Sequence, residues 1–261
     1  MVRGIDTFRD YFRGFEGNYV IIGGTACEVH EENFAQVPRA TKNIDIILVI
    51  EALSHDFVDR FWSFIKEGRY QKRQKGTGGE GMMRHEYYRF MKPMNIDYPM
   101  QIELFSRSLG LIDLPEDAVI TPIPTDEDLS SLSAILMDDE YYHFTVDHST
   151  LVDDIHIADV ESLICLKSKA FIDLSERKRE GGQIDSRNIL KHKKDVFRLA
   201  AMLSLDSRFV LPQHLYEDIR RFCSSVEKEL PNEDFFRAAG LPGMKAENLL
   251  KILKTSFICN D

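Results

Sequence analysis

Three short segments of this sequence carry groups that could bind phosphate and divalent cations. They contain Gly23-Gly24-Thr25, Asn43-Ile44-Asp45 and Glu103. Backbone amides in a glycine turn before a helix can bind a phosphate, because no Cβ blocks its approach. Carboxylate and amide oxygens are the ligands that Mg²⁺ prefers. Together the three segments indicate a site for a metal ion and a phosphate group.

Each segment also has a plainer interpretation. Gly23-Gly24 can be a tight turn at the end of a strand, and a lone pair such as Asn43 and Asp45 can be a solvated strand start. On a strand these two side chains would face one side, roughly 6.5–7 Å apart. Glu103 lies in an apolar run, where an unpaired acid is costly to bury. It therefore either faces water or binds a metal ion or a basic group.

The elements needed to position these residues can be predicted from hydrophobic patterning. Strands are predicted at Tyr19–Ile22 and Ile44–Ile50, and a hairpin is predicted from residues 83–91 and 100–105. Helices are predicted over residues 5–15, from about Thr25, and around residues 57–65. The glycine-rich segment 76–81 is either a substrate loop or a flexible connector.

The second half of the chain has a different character. Residues 141–146 and 151–157 are predicted as short strands, but the pattern beyond them is helical and shows no clear strand. Helices are predicted near residues 163–174, 188–204, 213–228 and 245–256. The prediction is an α+β fold, with a mixed β-sheet and flanking helices followed by a helical C-terminal half. The predicted domains are residues 1–157 and 158–261.

Composition and missing motifs narrow the functional classes. The net charge of −10 does not favour a nucleic-acid binder, although a basic cluster between Arg177 and Lys194 weakly favours RNA. The sequence lacks the HExxH, GxxxxGK[ST] and GxSxG patterns of zinc hydrolases, P-loop proteins and serine hydrolases. It has no secretion signal at its N-terminus, no apolar run of roughly 18 residues and no CxxC pair. A reduced, cytoplasmic protein that does not bind membranes is expected.

In combination the motifs are more specific than they are singly. The order is GGTA at residues 23–26, RATKNIDIIL at 39–48 and QIELF at 101–105. LKSKAF at 166–171 and KKDVFRL at 193–199 follow in the C-terminal half. This order resembles the nucleotidyltransferase superfamily, and within it the AbiEii-type toxins of abortive-infection toxin–antitoxin systems. The resemblance extends from about residue 19 to residue 200.

The resemblance implies a role for each matching residue. Gly23, Gly24 and Thr25 would hold a nucleoside triphosphate, and Asn43, Asp45 and Glu103 would bind Mg²⁺ or Mn²⁺. Glu103 would also help to activate the attacking hydroxyl group. Lys167 and Arg39 would bind phosphate. Asp195 would orient Lys167 or the base.

Two departures from the family pattern leave the activity open. Asn43 and Arg198 stand where the pattern has Asp, so two acids are missing. One interpretation is a transferase that moves a nucleoside monophosphate from an NTP to a hydroxyl acceptor such as RNA. The others are a non-catalytic nucleotide-binding relative, and the toxin component of a pair with a protein antitoxin.

Overall fold

The structure, a computed structural model, describes residues 2–71, 87–105, 135 and 138–259. The chain forms two compact units. Unit 1 comprises Met1–Ala26, Ala40–Thr125 and Ser149–Ile157, and unit 2 comprises Cys27–Arg39, Asp126–His148 and Ala158–Asp261. Unit 2 thus includes residues that precede the predicted domain boundary after residue 157. Whether residues 1–157 and 158–261 fold independently stays a prediction.

Unit 1 is built on a mixed six-stranded sheet with the strand order β3-β4-β2-β1-β6-β5. The strands are β1 Tyr19–Ile22, β2 Asn43–Leu48, β3 Tyr87–Met91, β4 Gln101–Phe105, β5 Ser149–Val152 and β6 Ile155–Ala158. Strand β2 pairs antiparallel with β1 and parallel with β4, and β3 pairs antiparallel with β4. The predicted mixed sheet and the predicted hairpin are therefore confirmed in the described residues.

Helices α1 (Ile5–Tyr11) and α3 (His55–Gly68) complete this unit, and α2 (Gly23–Asn33) begins in it. The hydroxyl oxygen of Ser54 caps α3 by accepting a hydrogen bond from the Phe57 amide at 3.2 Å. Aromatic side chains from α1, from the residue that follows it, and from β1 and α3 form the core. They are Phe8, Phe12, Tyr19, Phe57, Phe61 and Phe64. The helices thus contact the sheet at Tyr19 of β1 and Phe90 of β3, and each of these strands pairs with a strand that carries a candidate acid.

Unit 2 is mainly helical. Its elements are α4 Asp139–Asp147, α5 Val160–Arg179, α6 Ser186–Ala200, β7 Phe209–Leu211, α7 Gln213–Val226, α8 Glu233–Ala238, α9 Ala246–Ser256 and β8 Phe257–Cys259. Helix α5 packs against α6 and α7. The long side chains Leu163, Leu166 and Leu174 are buried at helical spacing along α5. Among the described helices of the chain, none combines the length and apolar character needed to cross a bilayer.

Three local predictions are wrong. Residues 141–146 are in helix α4, because Asp138 caps its first turn by accepting from the amides of Glu140 and Tyr141 at 2.9 and 3.3 Å. Residues 151–157 do not form one strand, since Asp153 and Asp154 both have positive φ and turn the chain between β5 and β6. The helical half also contains two strands, β7 and β8, which pair in parallel.

Some sequence predictions lie outside the described residues. These are the glycine-rich segment 76–81 and the first part of the predicted hairpin, residues 83–86. The remaining predicted helices agree with the structure to within a few residues at their ends, except that α1 ends at Tyr11 rather than at residue 15.

Candidate metal and phosphate sites

The glycine turn of unit 1 packs directly on Asp45. Ile22, the last residue of β1, is paired with Asp45 on β2, so Gly23 follows at that level of the sheet. A Cβ on Gly23 would lie 2.0 Å from Oδ2 of Asp45, and the φ of Gly23 is +69°. Both the space and the backbone conformation therefore require glycine. The predicted glycine motif and the predicted metal ligand Asp45 are brought together.

Asp45 and Glu103 lie side by side on neighbouring parallel strands. The register pairs Asn43 with Gln101 and Asp45 with Glu103. Asp45 is half-buried, whereas Glu103 is only 4% exposed. The two carboxyl groups share a hydrogen bond. Two carboxyl groups that are hydrogen-bonded to each other form an oxygen-rich site for a cation. They share a proton when no cation is present.

The acidity of Glu103 reflects its burial first and the nearby Asp45 second. Burial raises the pKa of Glu103 most, and the charge and hydrogen bond of Asp45 raise it further. Arg89 and Gln101 lower the pKa in part, and the result is a pKa of about 7. A carboxyl group with a pKa near neutrality can both release and accept a proton at physiological pH.

The side chain of Thr25 is hydrogen-bonded to the backbone of Asn43. The Thr25 hydroxyl is fully buried and donates to the main-chain oxygen of Asn43 at 2.5 Å. This hydrogen bond connects the start of α2 to the start of β2. It therefore holds the glycine turn against β2, the strand that carries Asp45. The Asn43 side chain is half-buried on the same side of β2 as Asp45.

Two residues near Glu103 were missed by the sequence analysis. Arg89 is the cross-strand partner of Glu103, and its Nε donates to Oε1 of Glu103 at 3.1 Å. The side-chain amide of Gln101 donates to the same oxygen. An arginine within the aromatic run of β3 was a weak signal for this role. The register that pairs it with Glu103 is not visible in the sequence.

In unit 2, three further predicted residues converge on one carboxylate. Asp195 on α6 is 1% exposed. Its Oδ2 lies 3.1 Å from Nζ of Lys167 on α5, and Arg39 donates from Nε to Oδ1 at 3.1 Å and from Nη2 to Oδ2 at 3.3 Å. Two cations thus share one anion, and the cluster carries a net positive charge suited to phosphate.

The pKa directions agree with this arrangement. Burial would raise the pKa of Asp195, but the charges of Lys167 and Arg39 outweigh burial and lower it. Burial would lower the pKa of Lys167, but Asp195 raises it. Burial lowers the pKa of the neighbouring His192 to about 3, with Lys167 adding to the effect. His192 is therefore neutral at physiological pH, and Lys167 is charged.

Arg198 has a partner of its own. Its Nε and Nη2 donate to the two carboxylate oxygens of Glu31 at 2.7 and 3.0 Å, and both side chains are buried. It also donates to the main-chain oxygen of Val37. An acid at this position would face buried Glu31. The packing of unit 2 therefore favours a cation at residue 198.

The basic cluster between Arg177 and Lys194 is partly engaged within unit 2. Lys193 is buried and donates from Nζ to the main-chain oxygen of Glu229 at 3.0 Å. Lys194 lies over the ring of Phe235, 5.7 Å from its centroid. Arg187 forms an exposed ion pair with Asp185 at 2.6 Å. Part of the predicted RNA-binding charge thus has a structural use.

Another group of potential metal ligands lies in unit 2. Asp138, Glu140 and His214 offer ligand atoms within 4.8 Å of one another. Asp138 already caps α4 through Oδ1, and its Oδ2 lies 3.1 Å from Nδ1 of His214. These residues are distinct from the predicted ligands Asn43, Asp45 and Glu103.

Comparison of the sequence with protein-family models and with curated proteins finds no significant match. The assignment of a function must therefore start from the residues themselves.

Proposed function

We propose that this protein is a nucleotidyltransferase-like enzyme that moves a nucleoside monophosphate from an NTP to a hydroxyl acceptor. The observation that carries the proposal is the packing of Gly23 on Asp45, with Glu103 directly alongside. A turn that could bind phosphate follows β1, and the two acids lie beside it on β2 and β4. The likeness to the nucleotidyltransferase fold and to AbiEii-type toxins is part of the same proposal.

The residues present fit a hard divalent cation. Asp45 and Glu103 supply adjacent carboxylate oxygens that repel each other when both are ionised, and a cation would relieve this repulsion. Asn43 would add a neutral amide oxygen. Mg²⁺ or Mn²⁺, when bound, would neutralise phosphate charge during the transfer.

The protein's own groups have separate tasks in the proposed reaction. The amides at the start of α2 orient the triphosphate. The acceptor oxygen attacks the α-phosphorus, the bond to the β-phosphate breaks, and pyrophosphate leaves. Glu103 takes the proton of the attacking hydroxyl. In unit 2, Lys167 and Arg39 are proposed to bind phosphate, with Asp195 holding both in place.

The test is transfer of label from α-labelled NTPs, with Mg²⁺ or Mn²⁺, to total RNA or to protein. The full chain should label an acceptor, and Asp45→Asn and Glu103→Gln should each lower the rate at least about 100-fold. Asp10→Asn is the matched control, because Asp10 is an exposed acid of unit 1. No labelled product, or full activity in Asp45→Asn, would contradict the proposal.

A second candidate function is nucleotide binding without catalysis. Asn43 favours it, because a neutral amide replaces a charged ligand. Calorimetry with ATP and GTP, with and without Mg²⁺, distinguishes the two: binding without transfer supports the second candidate. Asn43→Asp should then strengthen metal binding. The toxin role, a protein antitoxin partner, an RNA acceptor and a cytoplasmic location stay predictions from the sequence.

A further inference from the structure

Arg89 is the one cation among the described residues that is hydrogen-bonded to the acid pair. It faces Glu103 across the β3–β4 ladder, and the side chains are 15% and 6% exposed. Because both side chains are largely buried, forming this ion pair costs desolvation energy. Further hydrogen bonds to the two groups are needed to offset that cost. The side-chain amide of Gln101 helps by donating to the same Glu103 oxygen.

The formal charges of this site decide how many metal ions it can hold. Among the described residues, Asp45 and Glu103 contribute two negative charges when both are ionised, Asn43 contributes none, and Arg89 contributes one positive charge. An Asp at residue 43 and a neutral residue at 89 would leave three negative charges instead of one. A pair of dications needs ligands whose charges offset their mutual repulsion.

We propose that Arg89 takes the place of one cation, so that the site binds a single divalent ion and the guanidinium supplies the second positive group. Arginine suits this task because it stays charged at any physiological pH and its planar donors match phosphate oxygens. Asn43 and Arg89 then complement each other: a site that keeps a permanent cation does not need the third acid. The inference deepens the proposed function and rests on it.

The test measures binding of Mn²⁺ alone to the full chain without nucleotide, by the loss of the free-ion signal in electron paramagnetic resonance. The native chain should bind one Mn²⁺ that Asp45→Asn no longer binds. Any ion that Asp45→Asn still binds is assigned to Asp138, Glu140 and His214 and is not counted. Arg89→Gln should bind it roughly tenfold more tightly, because a repelling charge is removed. The double variant Asn43→Asp/Arg89→Gln should bind two ions. Arg13→Gln is the control, since Arg13 is an exposed arginine of the same unit that pairs with Asp10.

Asn43→Asp alone, which keeps the Arg89–Glu103 pair, covers the case in which Arg89→Gln fails to fold. It should bind its ion more tightly but still bind only one. Two ions bound by the native chain or by Asn43→Asp, or an unchanged Mn²⁺ affinity in folded Arg89→Gln, would overturn the inference. Neither result depends on transfer activity. A failed transfer assay counts against the proposed function, whereas a stoichiometry of two with active transfer counts against the role of Arg89 alone.

Discussion

The two candidate regions solve opposite electrostatic problems. In unit 1, two carboxyl groups crowd together, and the pKa of Glu103 is raised to about 7. In unit 2, two cations share Asp195, and the pKa of that carboxyl is lowered. The first region gains from an added cation and the second from an added anion. Under the proposed function, a divalent cation would bind in the first region and a phosphate group in the second.

The largest effect on the free energy of unfolding is expected in unit 2, where Asp195 is already paired with Lys167 and Arg39. Asp195→Asn leaves Lys167 buried with no full negative charge beside it. The free energy of unfolding should fall by about 3–5 kcal/mol, as when other buried ion pairs are broken. Urea unfolding followed by circular dichroism measures this. The control Asp206→Asn, at an exposed site, should change stability by less than about 0.5 kcal/mol.

A smaller but more local effect is expected at the glycine turn. Gly23→Ala and Gly14→Ala both place a Cβ at positive φ, at +69° and +87°. Only the first Cβ meets a neighbour, Oδ2 of Asp45, since nothing lies within 4 Å of the second. Gly23→Ala should therefore cost about 1–3 kcal/mol more than Gly14→Ala in urea unfolding. It should also weaken Mn²⁺ binding, and equal costs would contradict the close packing on Asp45.

An effect of similar size, spread over a range of pH, is the pH dependence that Glu103 confers on unit 1. Its pKa rises from an ordinary value of 4.5 to about 7, so the folded chain holds an extra proton between these values. In metal-free buffer, stability should fall as the pH rises through this window, by up to about 3 kcal/mol. The difference between the native chain and Glu103→Gln isolates this contribution. A difference that is constant from pH 4.5 to pH 7 would show that the pKa of Glu103 is not raised in the folded chain.

The sequence predicted the parts of each region that depend on local patterns. The glycine turn, the acids at residues 45 and 103, and the helices that carry Lys167 and Asp195 all follow from short motifs or helical spacing. Arg89 did not, because its pairing with Glu103 depends on the register between two strands, which the sequence leaves open. The partner of Arg198, Glu31, lies 167 residues away in the chain.

Residues 141–146 show how a local signal can be overridden. Their aromatic and β-branched side chains favour a strand. The preceding acids Asp138, Asp139 and Glu140 instead start a helix through a cap and a favourable first-turn charge. The capping acid and the acids of the first turn therefore outweigh the strand preference of the residues that follow them.

The most direct test of the central claim is the location of Mn²⁺ by anomalous diffraction from crystals of the full chain, grown with a non-hydrolysable NTP analogue. We expect one anomalous peak beside the carboxylates of Asp45 and Glu103, next to the turn at Gly23. A peak at Asp138, Glu140 and His214 instead, or an ion-free Asp45–Glu103 pair at saturating Mn²⁺, would contradict it.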